Sequence, residues 1–124
     1  MTVHALRDAP QPTATAVPTI AVVGIHGHGS KHISKVVDLQ ERGLATLTAL
    51  VDPRPLDGDV PWYPDLETLL AEARPDVVVI ATPIHTHLAL ASAALWAGCD
   101  VLLEKPTTAS LAEHAALLLS LIHI

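Results

Sequence analysis

Thr19-Ile20-Ala21-Val22-Val23-Gly24-Ile25-His26-Gly27-His28-Gly29 is a β-branched and apolar run that ends in three closely spaced glycines. It is followed by Ile33, Val36 and Val37 at helical spacing, and Gly43 closes that segment, so the region reads as strand, turn, helix. The alternation continues along the chain. Ala45 to Asp52 predicts a second strand ending in an acid, and Val60 to Tyr63 a short edge strand inside the proline-bounded stretch from Pro53 to Pro64. Leu66, Leu69, Leu70 and Ala73 share a helical face opened by Asp65 as cap, until Arg74-Pro75-Asp76 breaks it. Val77 to Ala81 is unbroken and apolar, as a strand covered on both faces should be. Leu88, Ala91, Ser92 and Leu95 mark a helix ended at Gly98, Val101 to Leu103 a strand, and Ser110 with Glu113 a capping box for a last helix. Strands alternating with helices imply an α/β fold, a doubly wound parallel sheet of Rossmann type.

Composition bounds the rest. The chain has 124 residues, one domain at most, and 50% of them are apolar although aromatics make up 2% and Phe is absent. The core must therefore be built from Ala, Val, Leu and Ile. Formal charge is −6, with 7 Lys and Arg scattered singly, so no basic stripe exists to follow a phosphate backbone, and nucleic acid is not expected as a partner. The single cysteine, Cys99, excludes an intramolecular disulfide framework and reads as a reduced packing residue. No uncharged apolar stretch reaches the roughly 18 residues of a spanning helix, so no membrane segment is expected. Residues 1–18 carry Arg7, Asp8 and three prolines without a continuous apolar core; they read as a disordered arm rather than a secretory signal, and a cytoplasmic protein is expected. No internal repeat is present. One coding strand for Leu119 to Ile124, CTG TCT CTT ATA CAC ATC, matches the end of a common transposon-based sequencing adapter. The expectation is a domain over residues 19–118 followed by a non-native tail at 119–124.

A glycine-rich turn between a first strand and its helix is where such folds bind phosphates: free amides and the helix dipole attract the anion, and glycine lets the backbone approach. Read as G-x-G-x-x-G the positions are Gly24, His26 and Gly29, with the middle glycine missing; read as G-x-x-G-x-G they are Gly24, Gly27 and Gly29. Both frames stand at this point. Asp52, at the end of the second strand, is positioned to accept both ribose hydroxyls of an adenosine, which favours NAD. Arg54, two residues on, is suited to a 2′-phosphate and keeps NADP open.

Together with the turn, several further segments carry a resemblance: Ser30-Lys31-His32, Val51-Asp52, Ala81-Thr82-Pro83 with His87, Ala97-Gly98, and Glu104-Lys105-Pro106 followed by Thr107. Residues Thr19 to Leu118 resemble the N-terminal domain of the Gfo/Idh/MocA oxidoreductases. The resemblance implies NAD(P)-dependent oxidation or reduction of a sugar, cyclitol or related polyol, with the substrate held mainly by a following α/β domain, in a homo-oligomeric parent. That second domain is absent from this sequence, so the fragment alone is expected to be inactive. The family's lysine falls on Lys105, where an ammonium beside the reacting carbon hydrogen-bonds the substrate oxygen and stabilises developing alkoxide. Its Lys–Pro bond is often cis in the family, which would turn Lys105 toward the nicotinamide side. Glu104 is expected as a positioning partner, and Thr82 and Pro83 as backbone lining the cofactor groove at the switch point. His87 either touches the groove or makes a structural hydrogen bond. Two departures stand out, His26 at the usual second glycine and Ile84 where an Asn is frequent.

Two other functional classes are weighed beside this one. His26, His28, His32, His85 and His87 lie near the carboxyl ends of adjacent strands, but no Cys joins them and their spacing matches no compact zinc motif, so no metal site is expected. A non-enzymatic dinucleotide-sensing module of the same fold is the closer alternative.

Overall fold

The computed structural model describes residues 2–3, 16–105, 108 and 110–123. Its strands are Thr2–Val3 (β1), Thr19–Val23 (β2), Thr46–Val51 (β3), Trp62–Tyr63 (β4), Val77–Ile80 (β5) and Asp100–Leu103 (β6). The helices are His28–Glu41 (α1), Leu66–Glu72 (α2), His87–Trp96 (α3) and Leu111–His123 (α4), and a single 3₁₀ turn, Ile84–Thr86, leads into α3. They form one sheet in the order β1-β6-β5-β2-β3-β4. Strands β2 to β6 pair in parallel. From β2 the chain winds outward to β3 on one side and later to β5 on the other, so the switch point lies between β2 and β5.

Both sheet faces are covered, which is why β2 and β5 are apolar without alternation. Ala21 and Val23 of β2 pack with Val78 and Ile80 of β5 under α2, α3 and α4, through Leu66, Leu69, Ala91, Ala94, Leu95 and Leu117. Ile20 and Val22 turn to the opposite face, with Ile25, Leu47, Leu50 and Val79 under Val36 of α1. Each fully buried Leu, Ile or Val contributes about 1.5–3 kcal/mol. Cys99 is buried within the first cluster, as a packing residue should be.

A register shift in β3 is a feature that periodicity did not suggest. Ile20 pairs with Leu47 and Ala21 with Ala49, so Thr48 is an extra residue, and its hydroxyl donates to the Ile20 carbonyl at 3.3 Å. Without that bulge, Leu47 would share a face with Ala49 and Val51; with it, Leu47 joins Leu50 in the core under α1.

Local chemistry sets the helix ends. The Asp65 carboxylate accepts the Thr68 amide at 2.7 Å and the Thr68 hydroxyl at 2.7 Å, opening α2 as expected and holding the Asp65 carboxyl below its usual range. Ser110 Oγ accepts the Glu113 amide at 3.2 Å at the start of α4. Between the breaker and β5, Asp76 ties strand starts together: its carboxylate accepts the Thr19 amide at 2.8 Å, and its own amide donates to the Thr19 hydroxyl at 2.9 Å.

Of residues 1–18, expected as an arm, the described part is 2–3 and 16–18. Thr2–Val3 pairs antiparallel with β6 along its outer edge, Thr2 opposite Leu102 and Val3 opposite Val101. Among the described residues no helix is long and apolar enough to cross a membrane.

Candidate functional site

The three glycines after β2 have three different physical roles. Gly24 adopts φ +84°, and a Cβ there would lie 2.8 Å from the Ala81 carbonyl oxygen and 2.9 Å from Thr82 Cγ2. Gly29 lets α1 settle against the strand end, since a Cβ would fall 1.5 Å from the Gly24 carbonyl oxygen. Gly27, at φ +67° and ψ −124°, meets nothing within 4 Å of a built Cβ, so its backbone is open to an approaching group. Clearance is therefore at Gly27, and His26 turns aside: its Nε2 lies 3.4 Å from the Arg54 carbonyl oxygen and 4.0 Å from Asp52 Oδ1. Helix α1 starts at Gly27 with no side-chain cap and no acid in its first turn, which leaves amides there available to an anion.

Asp52 follows β3 and is 9% exposed. Its two carboxylate oxygens are already engaged, Oδ2 by the Ile25 amide at 3.1 Å and Oδ1 by the Arg54 amide at 2.9 Å. The expectation that this carboxylate is fully available to two ribose hydroxyls is thereby modified. It also organises the turn, and only its remaining lone pairs face outward. Asp52, His26 and Arg54 line a cleft of about 380 Å³ with Gly24, Pro64, Leu66, Thr82 and Pro83. Trp62 Nε1 donates to the Asp52 carbonyl at 2.8 Å and braces the far wall.

Across the ridge of Ala81 and Thr82 lies a second cavity of about 320 Å³, lined also by His28, Ile84, His87, Glu104 and Lys105. The Thr86 hydroxyl donates to the Pro83 carbonyl at 2.6 Å, so its oxygen accepts from the Thr82 hydroxyl, 2.6 Å away. The 3₁₀ turn that brings these groups together had no signal in the apolar periodicity. His87 is 2% exposed; its Nε2 donates to the Thr82 carbonyl at 3.0 Å, and its side chain also lines the cavity. Glu104 extends the β6 ladder by donating its amide to the Ile80 carbonyl at 3.1 Å. His32 of α1 donates from Nε2 to Glu104 Oε1. That bond chiefly, opposed by slight burial and aided by the charges of His32 and His28 and by the Lys105 amide, holds the Glu104 carboxyl below its usual range. Lys105 is exposed at the cavity rim. Pro106 and Thr107, and with them the geometry of the Lys–Pro bond, lie outside the described residues.

The structure thus gathers Gly24, His26, Asp52, Arg54, Thr82 and Pro83 on one side of the ridge and His87, Glu104 and Lys105 on the other. The pairing of His32 with Glu104 is a contact that sequence reasoning missed. Its local signals are that His32 follows His28 by one helical turn on α1 and closes the Ser30-Lys31-His32 segment noted above. His85 is exposed, and among the described residues no three His, Cys, Asp or Glu side chains are grouped to hold a metal ion.

Comparison with known proteins decides the family. The model of the Gfo/Idh/MocA oxidoreductase family, NAD-binding Rossmann fold, matches residues 19–121. The chain belongs to this family. Among Gfo/Idh/MocA relatives, inositol 2-dehydrogenase 1 of Saccharopolyspora erythraea is 46% identical over 55 residues, 44% of this chain and 16% of its own length. The WlbA dehydrogenase of Bordetella pertussis, solved with NADH and UDP-GlcNAcA, superposes with a TM-score of 0.81 at 22% identity, over 90% of this chain and 35% of that one. Scyllo-inositol dehydrogenase of Lactobacillus casei, solved with NAD(H) and scyllo-inositol, gives 0.77 at 22% identity over 87% and 34%. The chain thus spans about a third of the length of these solved Gfo/Idh/MocA structures.

Proposed function

We propose that this chain binds NAD(H) as the dinucleotide-binding part of a dehydrogenase acting on a secondary alcohol of a sugar, cyclitol or related polyol. The observation that carries the reading is the crevice itself: two cavities share Ala81 and Thr82 as lining, with Gly24 and His26 of the glycine turn and Asp52 at one end and Lys105 at the other. The residues fit a dinucleotide. Gly24, Gly27 and the uncapped start of α1 would hold the pyrophosphate, and Asp52 the adenosine ribose. Thr82, Pro83, Glu104, Lys105 and the wall formed by His87 would surround the nicotinamide end. NAD, when bound, supplies the hydride acceptor.

The chain's own groups then have separable tasks. Asp52 orients the ribose with the lone pairs its two amides leave free. Lys105, exposed on the rim, offers an ammonium that hydrogen-bonds the substrate oxygen and stabilises charge developing on it. Arg54 lines the cleft and is the group placed to meet a 2′-phosphate. The hydroxyl of Thr82 is committed to Thr86, so it shapes the groove rather than acting on substrate.

Calorimetric titration of the folded chain tests the proposal. Saturable NAD(H) binding that Asp52→Ala abolishes is the expected result, with weaker NADP(H) binding that depends on Arg54. A folded sample that binds neither cofactor sinks the reading.

A further inference from the structure

Residue 104 is held from two directions. Its main chain is fastened to β5 through the bond to the Ile80 carbonyl, and its carboxylate is fastened to α1 through His32, a residue 72 positions away in sequence. Both side chains of that pair are partly buried, at 16% and 34% exposure, where a charge-assisted bond is screened less than on an open surface. The Lys105 amide adds a smaller pull on the same carboxylate. Lys105 is therefore the first residue beyond the ladder, and the position of its Cα depends on where Glu104 is held.

We infer that His32 is a positioning residue for Lys105, clamping the strand end that carries the lysine to the helix whose first turn faces the dinucleotide. The inference rests on the proposed NAD(H) site and adds to it a physical link between its two ends. Helix α1 begins at the open turn, and His32 stands one turn after His28, which lines the same cavity as Glu104 and Lys105. Since α1 is locked onto the strand end by the close approach of Gly29 to Gly24, the clamp has a rigid anchor. A lysine stem has four rotatable carbons, so its ammonium reaches a defined point only if its backbone is fixed. Loss of the clamp frees residues 104 and 105 without disturbing the ribose end, which is held by Asp52 on the other side of the ridge.

The test compares two ligands on the 124-residue chain. NADH would reach both cavities, whereas ADP-ribose lacks the nicotinamide. His32→Ala should weaken NADH by about tenfold, the scale of one lost charge-assisted bond, and leave ADP-ribose within about twofold. His32→Gln, which keeps a donor near the Nε2 position, should restore NADH affinity. Hydrogen exchange of the Lys105 amide gives an independent reading: it should accelerate in His32→Ala and not in His32→Gln, with the Leu103 amide unchanged in both. Should His32→Ala not fold, His32→Asn, too short to reach Glu104, takes its place in the same comparison. Equal loss of both ligands, or NADH affinity and Lys105 exchange untouched by His32→Ala, overturns the inference while leaving the cofactor site standing. A folded wild-type chain that binds neither ligand removes the site, and the clamp's purpose with it.

Discussion

Gly29→Ala should be the most damaging single methyl group that can be added to this protein. A Cβ at residue 29 would lie 1.5 Å from the Gly24 carbonyl oxygen and 2.6 Å from its carbon, and both are backbone atoms that no rotamer change can move aside. Reaching an ordinary contact of about 3.4 Å requires α1 to lift from the end of β2 by nearly 2 Å, which pulls Val36 from its core and opens the phosphate turn. Overpacking usually costs about 1–3 kcal/mol, and a clash this close with the Gly24 backbone belongs at or above the top of that range. Against a total of roughly 5–15 kcal/mol, a loss of about 3 kcal/mol is a large fraction, and for a domain of this size it lowers the melting midpoint by roughly 12 °C or more. Gly27→Ala is the control. Nothing obstructs its Cβ, but φ +67° with ψ −124° is strained for any L-residue, so a smaller cost of about 1–3 kcal/mol is expected, with the core intact. Denaturant titration followed by circular dichroism measures both. If Gly29→Ala unfolds at the wild-type midpoint, or Gly27→Ala is the worse of the two, the assignment of close packing to Gly29 is wrong.

Leu117→Ala should cost about 2–5 kcal/mol, because Leu117 is fully buried against α3 and the sheet. Leu119→Ala, at a position 57% exposed, should stay within about 0.5 kcal/mol in the same titration. Asp52→Asn should both weaken NAD(H) binding and destabilise the fold by about 1–3 kcal/mol, since its amide nitrogen faces a backbone donor that Asp52 now accepts; unchanged stability would show that the Ile25 and Arg54 amides find other partners. For Glu104 the folded carboxyl titrates below the 4.5 of the unfolded chain, so the stability it contributes is complete above that value. That stability is lost as pH falls through the depressed folded value. Melting curves of wild type and Glu104→Gln should therefore differ by a constant amount near neutrality and converge in acid, whereas a difference that persists at low pH contradicts the assignment.

What residues 19–118 contain locally was legible without coordinates. Unbroken apolar runs such as Val77 to Ile80, helical spacing such as Leu66 and Leu69, and caps such as Asp65 and Ser110 each report on neighbours a few positions apart, and each element formed where its pattern lay. The glycine turn, Asp52 and Lys105 were legible as a set for the same reason, since each sits at the end of a strand and all strands of a parallel sheet end on one side. Other features belong to tertiary structure alone. The bulge at Thr48, the pairing of Thr2–Val3 with β6, the choice between Gly27 and His26 as the point of clearance, and the engagement of both Asp52 oxygens depend on strand register and on how closely α1 approaches β2. The bond from His32 to Glu104 is the clearest case. Hydrophobic period tells a side chain which face to take, but contact between residues 72 apart arises only when sheet order places the end of β6 under the first turns of α1.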